Sequence, residues 1–523
     1  MTPFQVAHWA VTPGAGQGDA VASMPDGGAL RLAFLSGSMA RVTWVRPDGF
    51  REPATWAIAP TAGEDVPWQG RLRDSLAGFS RPSLTVRNSS ATDSNSAPSL
   101  ETTDLRVTLA AGVAGTPRLI WQAPTTGQVY MADRATSAYL ASKRTGAIRH
   151  CVVRDPADRY FGLGDKTGPL NLHGRRLRCM GQDSLGYDPQ SGDPLYKHWP
   201  FLMQRTPDGL WLGIFYDTLS ACTFDLGCEH DNYHDFFRTI EIDDGDLDYY
   251  IMVGDSPAAV LHQFMSLIGG THLPPKWSVG FALTAMGLAD APDAQQQLTA
   301  FIAACGDNRM PISAFHYGSG YSSRGKQRYV FNWNRDKFPD PEGINRSFQE
   351  AGMRLVANIK PCLLDDHPAY QTVRDADGFI NNRSTGEPVV EPFWDGNGAY
   401  LDFTKPQAVQ WWQSGLRQQI LEKGIDSGWN DNNEYAIQSE DAVSDLWGQV
   451  GPIHRSRPLH ALLMTRATFE AQTAYATATG RDEAVYTITR AGPPGLQRYA
   501  QTWSGDNTTS WETLKWNIRT GLQ

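Results

Sequence analysis

The chain has 523 residues, is 41% hydrophobic and carries a formal net charge of −10 from 46 basic and 56 acidic side chains. That length exceeds what one hydrophobic core supports, and an acidic chain without a Lys/Arg-rich run has no electrostatic footprint for nucleic acid. No stretch approaches the roughly 18 uninterrupted apolar residues of a membrane-spanning helix, so no membrane partner is expected.

The N-terminus, Met1-Thr2-Pro3-Phe4, lacks a basic segment followed by an apolar run. The expected location is therefore cytoplasmic, or secreted or periplasmic if a leader has been removed. Up to about residue 270 the chain is a series of short β-like runs punctuated by Gly, Pro, Asn and Asp, among them Leu30–Leu35, Ala40–Val45, Leu105–Ala110, Arg118–Gln122, Trp211–Tyr216 and Tyr249–Val253. This spacing predicts an antiparallel β-sandwich over residues 1–270. The Ser/Asn/Thr-rich stretch 88–103 reads as a loop.

After Pro274-Pro275 the rhythm becomes strand, helix, strand. Strands are predicted at Ser278–Thr284, Ile312–Tyr317, Arg354–Lys360, Ile425–Trp429, Ala484–Thr489 and Tyr499–Trp503. Helices are predicted at Ala291–Cys305, Gly343–Ala351, Pro406–Lys423 with Trp411 and Trp412 on its buried face, His460–Thr479 and Trp511–Thr520. The fold class is α/β: the sandwich, then a parallel (β/α)8 TIM barrel over 271–523 with an insertion at about 363–400 after strand three. Only six strands can be counted, and an open barrel exposes apolar edges. The expectation is a barrel cut before strands seven and eight, completed by further chain, by an oligomer or by a second chain.

The six cysteines are scattered without a C-x-x-C pair and read as reduced, buried thiols. The histidines show no H-E-x-x-H spacing, and no metal or cofactor is expected. The 17 Trp, 18 Tyr and 21 Phe suit sugar-stacking surfaces, although composition alone favours large cores.

Acidic and aromatic residues cluster after the fourth and sixth strands, in Ile425-Asp426-Ser427-Gly428-Trp429-Asn430-Asp431-Asn432-Asn433-Glu434 and in Trp503-Ser504-Gly505-Asp506-Asn507. C-terminal strand ends are where barrel active sites form. Either acid alone reads as a capping or loop-stabilising residue. Together they suit glycosidic-bond cleavage, in which one carboxylate attacks the anomeric carbon and a protonated one supplies the leaving oxygen's proton. Trp503 beside Asp506 reads as a pocket wall that would raise the acid's pKa. Glu434 reads as an orienting or structural carboxylate.

Trp429 through Glu434 resembles the W-x-D-M-N-E nucleophile motif of glycoside hydrolase family 31, with Asn in place of Met, and Arg498-Tyr499-Ala500 through Asn507 resembles that family's acid/base motif. Gly162-Leu163-Gly164-Asp165 after Tyr160-Phe161, Asn332-Trp333-Asn334 and Phe338-Pro339-Asp340-Pro341 continue the match from about residue 150 onward. The resemblance implies a retaining, exo-acting α-glycoside hydrolase taking an α-linked oligosaccharide or glycoside. Its nucleophile would be Asp431 and its acid/base Asp506. Asp183 would reach the leaving-group subsite and Arg490 the hydroxyls of the terminal sugar. The resemblance also implies C-terminal β-domains, expected with strands seven and eight beyond the six strands counted here, and a histidine near strand seven that cannot be placed.

His316, Tyr317, Lys360, Trp394, Trp429 and Trp503 complete the candidate substrate-binding set, with packing the competing role for Tyr317. On strand two, His316-Tyr317-Gly318-Ser319-Gly320-Tyr321 has glycine at both positions where family α-glucosidases carry acids. A lost charged hydrogen bond is worth about 1.5–3 kcal/mol, which counts against glucose recognition. Room beside two glycines would suit an axial 4-hydroxyl or an N-acetyl group, hence an α-galactosidase or α-N-acetylgalactosaminidase. The alternative is that Lys360, Asp365 or Asp366 replaces the missing acid. A transglycosylase and a non-catalytic carbohydrate-binding fragment are the other readings.

Overall fold

The computed structural model describes residues 1–6, 8–16, 18–87 and 97–523. These form two compact units, Met1–Gly270 with Ser504–Gln523, and Thr271–Trp503. No helix among the described residues is long and apolar enough to cross a membrane.

The first unit is built on antiparallel sheets of eight, six and five strands. In the eight-stranded sheet, Trp211–Tyr216, Asp248–Gly254, Met39–Val45 and Ala29–Phe34 are successive neighbours. Period-two alternation shows in Pro117–Gln122, which is buried at every second residue, whereas Met39–Val45 and Asp248–Gly254 are buried on both faces. Leu32, Val42, Val107, Trp121, Ile214 and Ile251 belong to the resulting core. The loop expected over 88–103 is corrected at its end, where Ser99–Glu101 pairs antiparallel with Arg106–Thr108. Leu100 opposite Val107 is the apolar pair that draws this polar stretch into the sheet. Residues 88–96 lie outside the described chain.

In the second unit six parallel strands lie side by side in chain order: β1 (Ala282–Thr284), β2 (Ala314–Tyr317), β3 (Arg354–Ile359), β4 (Ser427–Asn430), β5 (Ile488–Thr489) and β6 (Gln501–Thr502). Helices α1 (Ala294–Asp307), α2 (Pro341–Glu350), α3 (Pro406–Gln419) and α4 (Arg457–Ala478) carry the chain between the first five. The Phe338-Pro339-Asp340-Pro341 motif is the start of α2: Asp340 Oδ1 accepts from Gly343 N at 3.0 Å, and Pro341 takes the first turn, where a missing N–H costs nothing.

Two strands are shorter than their apolar runs. Lys276–Val279 ahead of β1 is a tight turn, with Ser278 Oγ donating to Pro275 O at 2.8 Å. Ahead of β5, the Tyr486 carbonyl accepts Ser427 Oγ at 2.6 Å and Gln472 Nε2 at 2.7 Å. Side chains there do the work of a ladder. After β3, Cys362–Leu364, Val390–Phe393 and Gly396–Tyr400 form a small antiparallel sheet. Trp412 is buried and donates Nε1 to Thr468 Oγ1 at 2.9 Å, whereas Trp411 is only half-buried. Adjacent helical residues point about 100° apart, so the two could not share one face.

In the first unit, Tyr187 Oη donates to Ser504 O at 3.0 Å, and Gly186 N donates to Asp506 O at 2.7 Å. The Tyr196 hydroxyl accepts from Asp506 N at 3.0 Å. Gly505 has φ +77° and lies against the Tyr196 ring so closely that a Cβ would overlap it. Gly505→Ala should therefore destabilise this attachment by about 2–3 kcal/mol. The expected readouts are a lower denaturation midpoint and faster proteolysis near residue 505; wild-type values for both would refute this packing.

Candidate active site

Parallel register puts paired residues on the same side of a sheet, and period two keeps i and i+2 together. His316 of β2 pairs with Val356 of β3, and Asn358 of β3 pairs with Trp429 of β4, itself paired with Ile488 of β5. Extending each strand by one step of two adds Lys360 after Asn358, Asp431 after Trp429 and Arg490 after Ile488. One face thus carries His316, Asn358, Lys360, Trp429, Asp431 and Arg490 at its C-terminal end.

Asp431 is 7% exposed. Its backbone N donates to Ile359 O at 3.0 Å, prolonging the β3–β4 ladder. Asn358 Nδ2 and Lys360 Nζ both donate to Asp431 Oδ2, at 2.9 and 2.7 Å. Arg490 Nη1 is 3.2 Å from the other oxygen, Oδ1, in an ion pair, yet Oδ1 is buried with no aligned hydrogen-bond donor. Burial alone would raise this carboxyl's pKa, but Lys360 and Arg490, with the Asn358 hydrogen bond, outweigh it and hold the pKa well below the usual carboxylate range. Asp431 is an anion throughout the physiological pH range.

The cations are themselves held. Glu434 accepts Arg490 Nε at 2.7 Å and Nη2 at 2.8 Å, a bidentate clamp that aims the remaining guanidinium nitrogen at Asp431. Lys360 Nζ also donates to Asn432 Oδ1. Asn432 has φ +48°, a left-handed conformation that Asn tolerates better than most residues. Asn433 Nδ2 donates to Thr489 Oγ1 at 2.9 Å and its Oδ1 accepts Ala491 N at 3.0 Å, tying this loop to β5.

An aromatic wall adjoins the anion. The Trp429 ring centroid is 6.0 Å from that of His316 and 5.4 Å from that of Trp503, which meets it at 82°. Burial pulls the His316 pKa down to about 4, so its ring is neutral at neutral pH. Tyr317 faces the other way: its hydroxyl donates to Asn345 Oδ1 of α2 at 2.9 Å, and its ring packs on Phe338 and Phe348. That is the packing role, imposed by alternation. Trp394, in the insertion, is 51% exposed, and the next residue, Asp395, accepts Arg328 Nη1 at 3.0 Å.

The space directly beside Gly318 and Gly320 is taken up in this structure, by a flexible side chain at the first and by backbone at the second. A Cβ at Gly318 would overlap the end of Met286, and one at Gly320 would lie 2.7 Å from the Ala289 carbonyl oxygen and against Asp290. The helical turn Met286–Asp290 fills that space. Asp365 and Asp366 are exposed, with Asp366 Oδ2 accepting Tyr329 Oη at 3.0 Å, while Lys360 is turned to Asp431.

Asp183 and Asp506 belong to the first unit. Both are partly buried, Asp183 in the stretch after the strand Arg176–Cys179 and Asp506 on the Tyr196 and Gly186 anchors described above. Sequence reasoning missed Asn358 and Tyr196. Asn358 was detectable, since it sits two residues before Lys360 on one strand; Tyr196, more than 300 residues from its partner, had no such signal.

Two family profiles match this chain: "Glycosyl hydrolases family 31 TIM-barrel domain" over residues 271–523, and "Glycosyl hydrolase 31 N-terminal galactose mutarotase-like domain" over residues 29–225. Alpha-glucosidase 2 of Bacillus thermoamyloliquefaciens is 28% identical over 379 residues, covering 70% of this chain and 45% of that protein. Alpha-xylosidase XylQ of Lactiplantibacillus pentosus is 27% identical over 284 residues, covering 54% of this chain and 35% of that protein. The chain thus spans less than half the length of these curated relatives. A solved Flavobacterium johnsoniae GH31 dextranase, complexed with glucose, shares the fold with a TM-score of 0.81 at 22% identity, covering 100% of this chain and 59% of that one. Matched in both its sandwich and its barrel by profiles of one family, the chain belongs to glycosyl hydrolase family 31.

Proposed function

We propose that this chain carries the catalytic machinery of a retaining, exo-acting α-glycoside hydrolase, with Asp431 as nucleophile and Asp506 as acid/base. The observation that carries the reading is the Asp431 carboxylate itself. It is buried at a strand end and kept ionised by two cations, with Oδ2 tied by two donors and Oδ1 without an aligned one. Oδ1 is then the attacking oxygen. It forms a bond to the anomeric carbon as the glycosidic C–O bond breaks, while the protonated Asp506 carboxyl delivers its proton to the leaving oxygen. Water, deprotonated by Asp506, then attacks the same carbon and releases Asp431, with net retention. This chemistry requires the two carboxyl groups about 5–5.5 Å apart.

As the ester forms, Asp431 loses its negative charge, and Lys360 and Arg490 no longer face an anion. Their attraction therefore favours return of the carboxylate, which helps the second step. Trp429, His316 and Trp503 offer an apolar wall for the C–H face of a ring, and Arg490 and Lys360 offer donors to its hydroxyls. The end of Met286 lies beside Gly318 and the Ala289 carbonyl and Asp290 beside Gly320, which weakens the reading as an α-galactoside or an N-acetyl sugar. The names of the relatives then favour an α-glucoside or α-xyloside. A sugar hydroxyl in place of water in the second step would make the same site a transglycosylase.

Three outcomes test this on nitrophenyl α-glycosides. Asp431→Ala should lower kcat at least about a thousandfold with an unchanged fold; activity within tenfold of wild type refutes the nucleophile and favours a non-catalytic carbohydrate-binding role. Asp506→Ala should depress turnover of sugars with poor alkyl leaving groups far more than that of nitrophenyl glycosides, whose phenolate leaves without a proton. An equal loss on both would remove it as the acid. Lys360→Met deprives Asp431 of a stabilising cation and so raises its pKa, and the acid limb of kcat/KM should move to higher pH by about one unit or more. A limb that stays in place, or moves to lower pH, would show that Lys360 does not control the nucleophile.

A further inference from the structure

We propose that Cys179 and Cys222 form a cross-strand thiol pair that closes to a disulfide, an oxidation site in the N-terminal sandwich. The strands Arg176–Cys179 and Cys222–Asp225 run antiparallel, and Cys179 and Cys222 are direct partners across them. Direct partners in an antiparallel pair have Cα atoms about 4.5 or 5.5 Å apart according to ladder position, and both values fall within the roughly 4.4–6.8 Å span of disulfides. Their side chains share one face, and both residues are 0% exposed. The bridge needs rotation at Cβ and little backbone movement. Cys228 is exposed, its thiol lying 3.0 Å from Gly174 O, and the strand containing Cys151 places Thr239 opposite it.

The surroundings distinguish the two sulfurs. Burial raises the pKa of both, but a hydrogen bond from Cys222 and the ammonium of Lys166 draw Cys179 down, while Cys222 is pushed well above its ordinary value. Lys166 is fixed by Asp193 Oδ1 at 2.8 Å and the Arg178 carbonyl at 2.5 Å. Cys179 is thus the nucleophile and Cys222 the resolving thiol. With a small disulfide such as oxidised glutathione as oxidant, the Cys179 thiolate attacks one sulfur and releases a glutathione thiolate. Deprotonated Cys222 then attacks Cys179 Sγ and releases the second. Two electrons pass to the reagent, and the two thiol protons end on its two thiolates. Because both thiols are sealed once the strands pair, closure belongs to folding or to a transient opening of this edge.

The bridge would act on the stretch that follows Cys179. Residues 180–199 return to it through His198 Nδ1, 3.1 Å from Cys179 O, and present Gly186 N and Tyr196 Oη to the backbone of Asp506. Pinning Cys179 fixes the root of that stretch.

The test is to unfold the full chain in urea, refold it with oxidised or with reduced glutathione, block remaining thiols and map peptides without reduction. A peptide pair joined through Cys179 and Cys222, about 2 Da lighter than its separate thiol peptides, is expected in the oxidised arm. It should be absent from Cys179→Ser and Cys222→Ser and retained in Cys228→Ser. Bridged protein should melt about 5–10 °C higher than reduced protein and lose that gain with dithiothreitol. Amide exchange over 180–199 should slow in the same sample. Full alkylation of both thiols after oxidative refolding overturns the proposal, as does a bridge to any other cysteine. Refolding exposes both sulfurs, so restricted access cannot account for a negative result.

Discussion

An ionised carboxylate inside a protein is expensive unless cations and donors replace the water it gives up. At Asp431 that replacement comes from Lys360, Arg490 and Asn358, and much of the site follows from arranging them. Three adjacent strand ends are needed, because no single segment could surround the anion. Glu434 is needed because Arg490 would otherwise be free to swing, and its two oxygens fix both nitrogens that do not face Asp431. The polar loop residues Asn432 and Asn433 then have their roles. One accepts from Lys360 and the other fastens the loop to β5.

The parallel register of the sheet does the aiming. With His316 paired to Val356 and Asn358 to Trp429, one face receives Asn358, Lys360, Asp431 and Arg490 and the other receives Tyr317 and Thr489, which bind α2 and α4 side chains. A one-residue slip between β3 and β4 would turn Lys360 away from Asp431 and leave a buried anion with half its compensation. The packing that fixes register is therefore also what keeps the site electrostatically tolerable, so stability and site geometry are coupled through the same ladder.

The sandwich unit shows a second arrangement, in which glycine and tyrosine hold a stretch of backbone. Gly505 allows the chain to lie on the Tyr196 ring, and the Tyr196 hydroxyl and Gly186 N grip the Asp506 backbone from either side. These contacts hold the backbone at Asp506.

The sequence by itself determined the strand–helix alternation, the sandwich before it and the two acidic motifs, because hydrophobic period and local turn chemistry are properties of short stretches. It also contained Asn358, through the period-two relation to Lys360, and the opposed facing of His316 and Tyr317. Only the tertiary structure decided what fills the space beside Gly318 and Gly320, since Met286 and Asp290 come from another segment whose approach no local pattern encodes. The same holds for the Tyr196 contact with Asp506 and the facing of Cys179 and Cys222. A glycine shows where a side chain is missing, whereas its neighbours, brought in by the fold, decide whether that absence becomes a cavity or a contact.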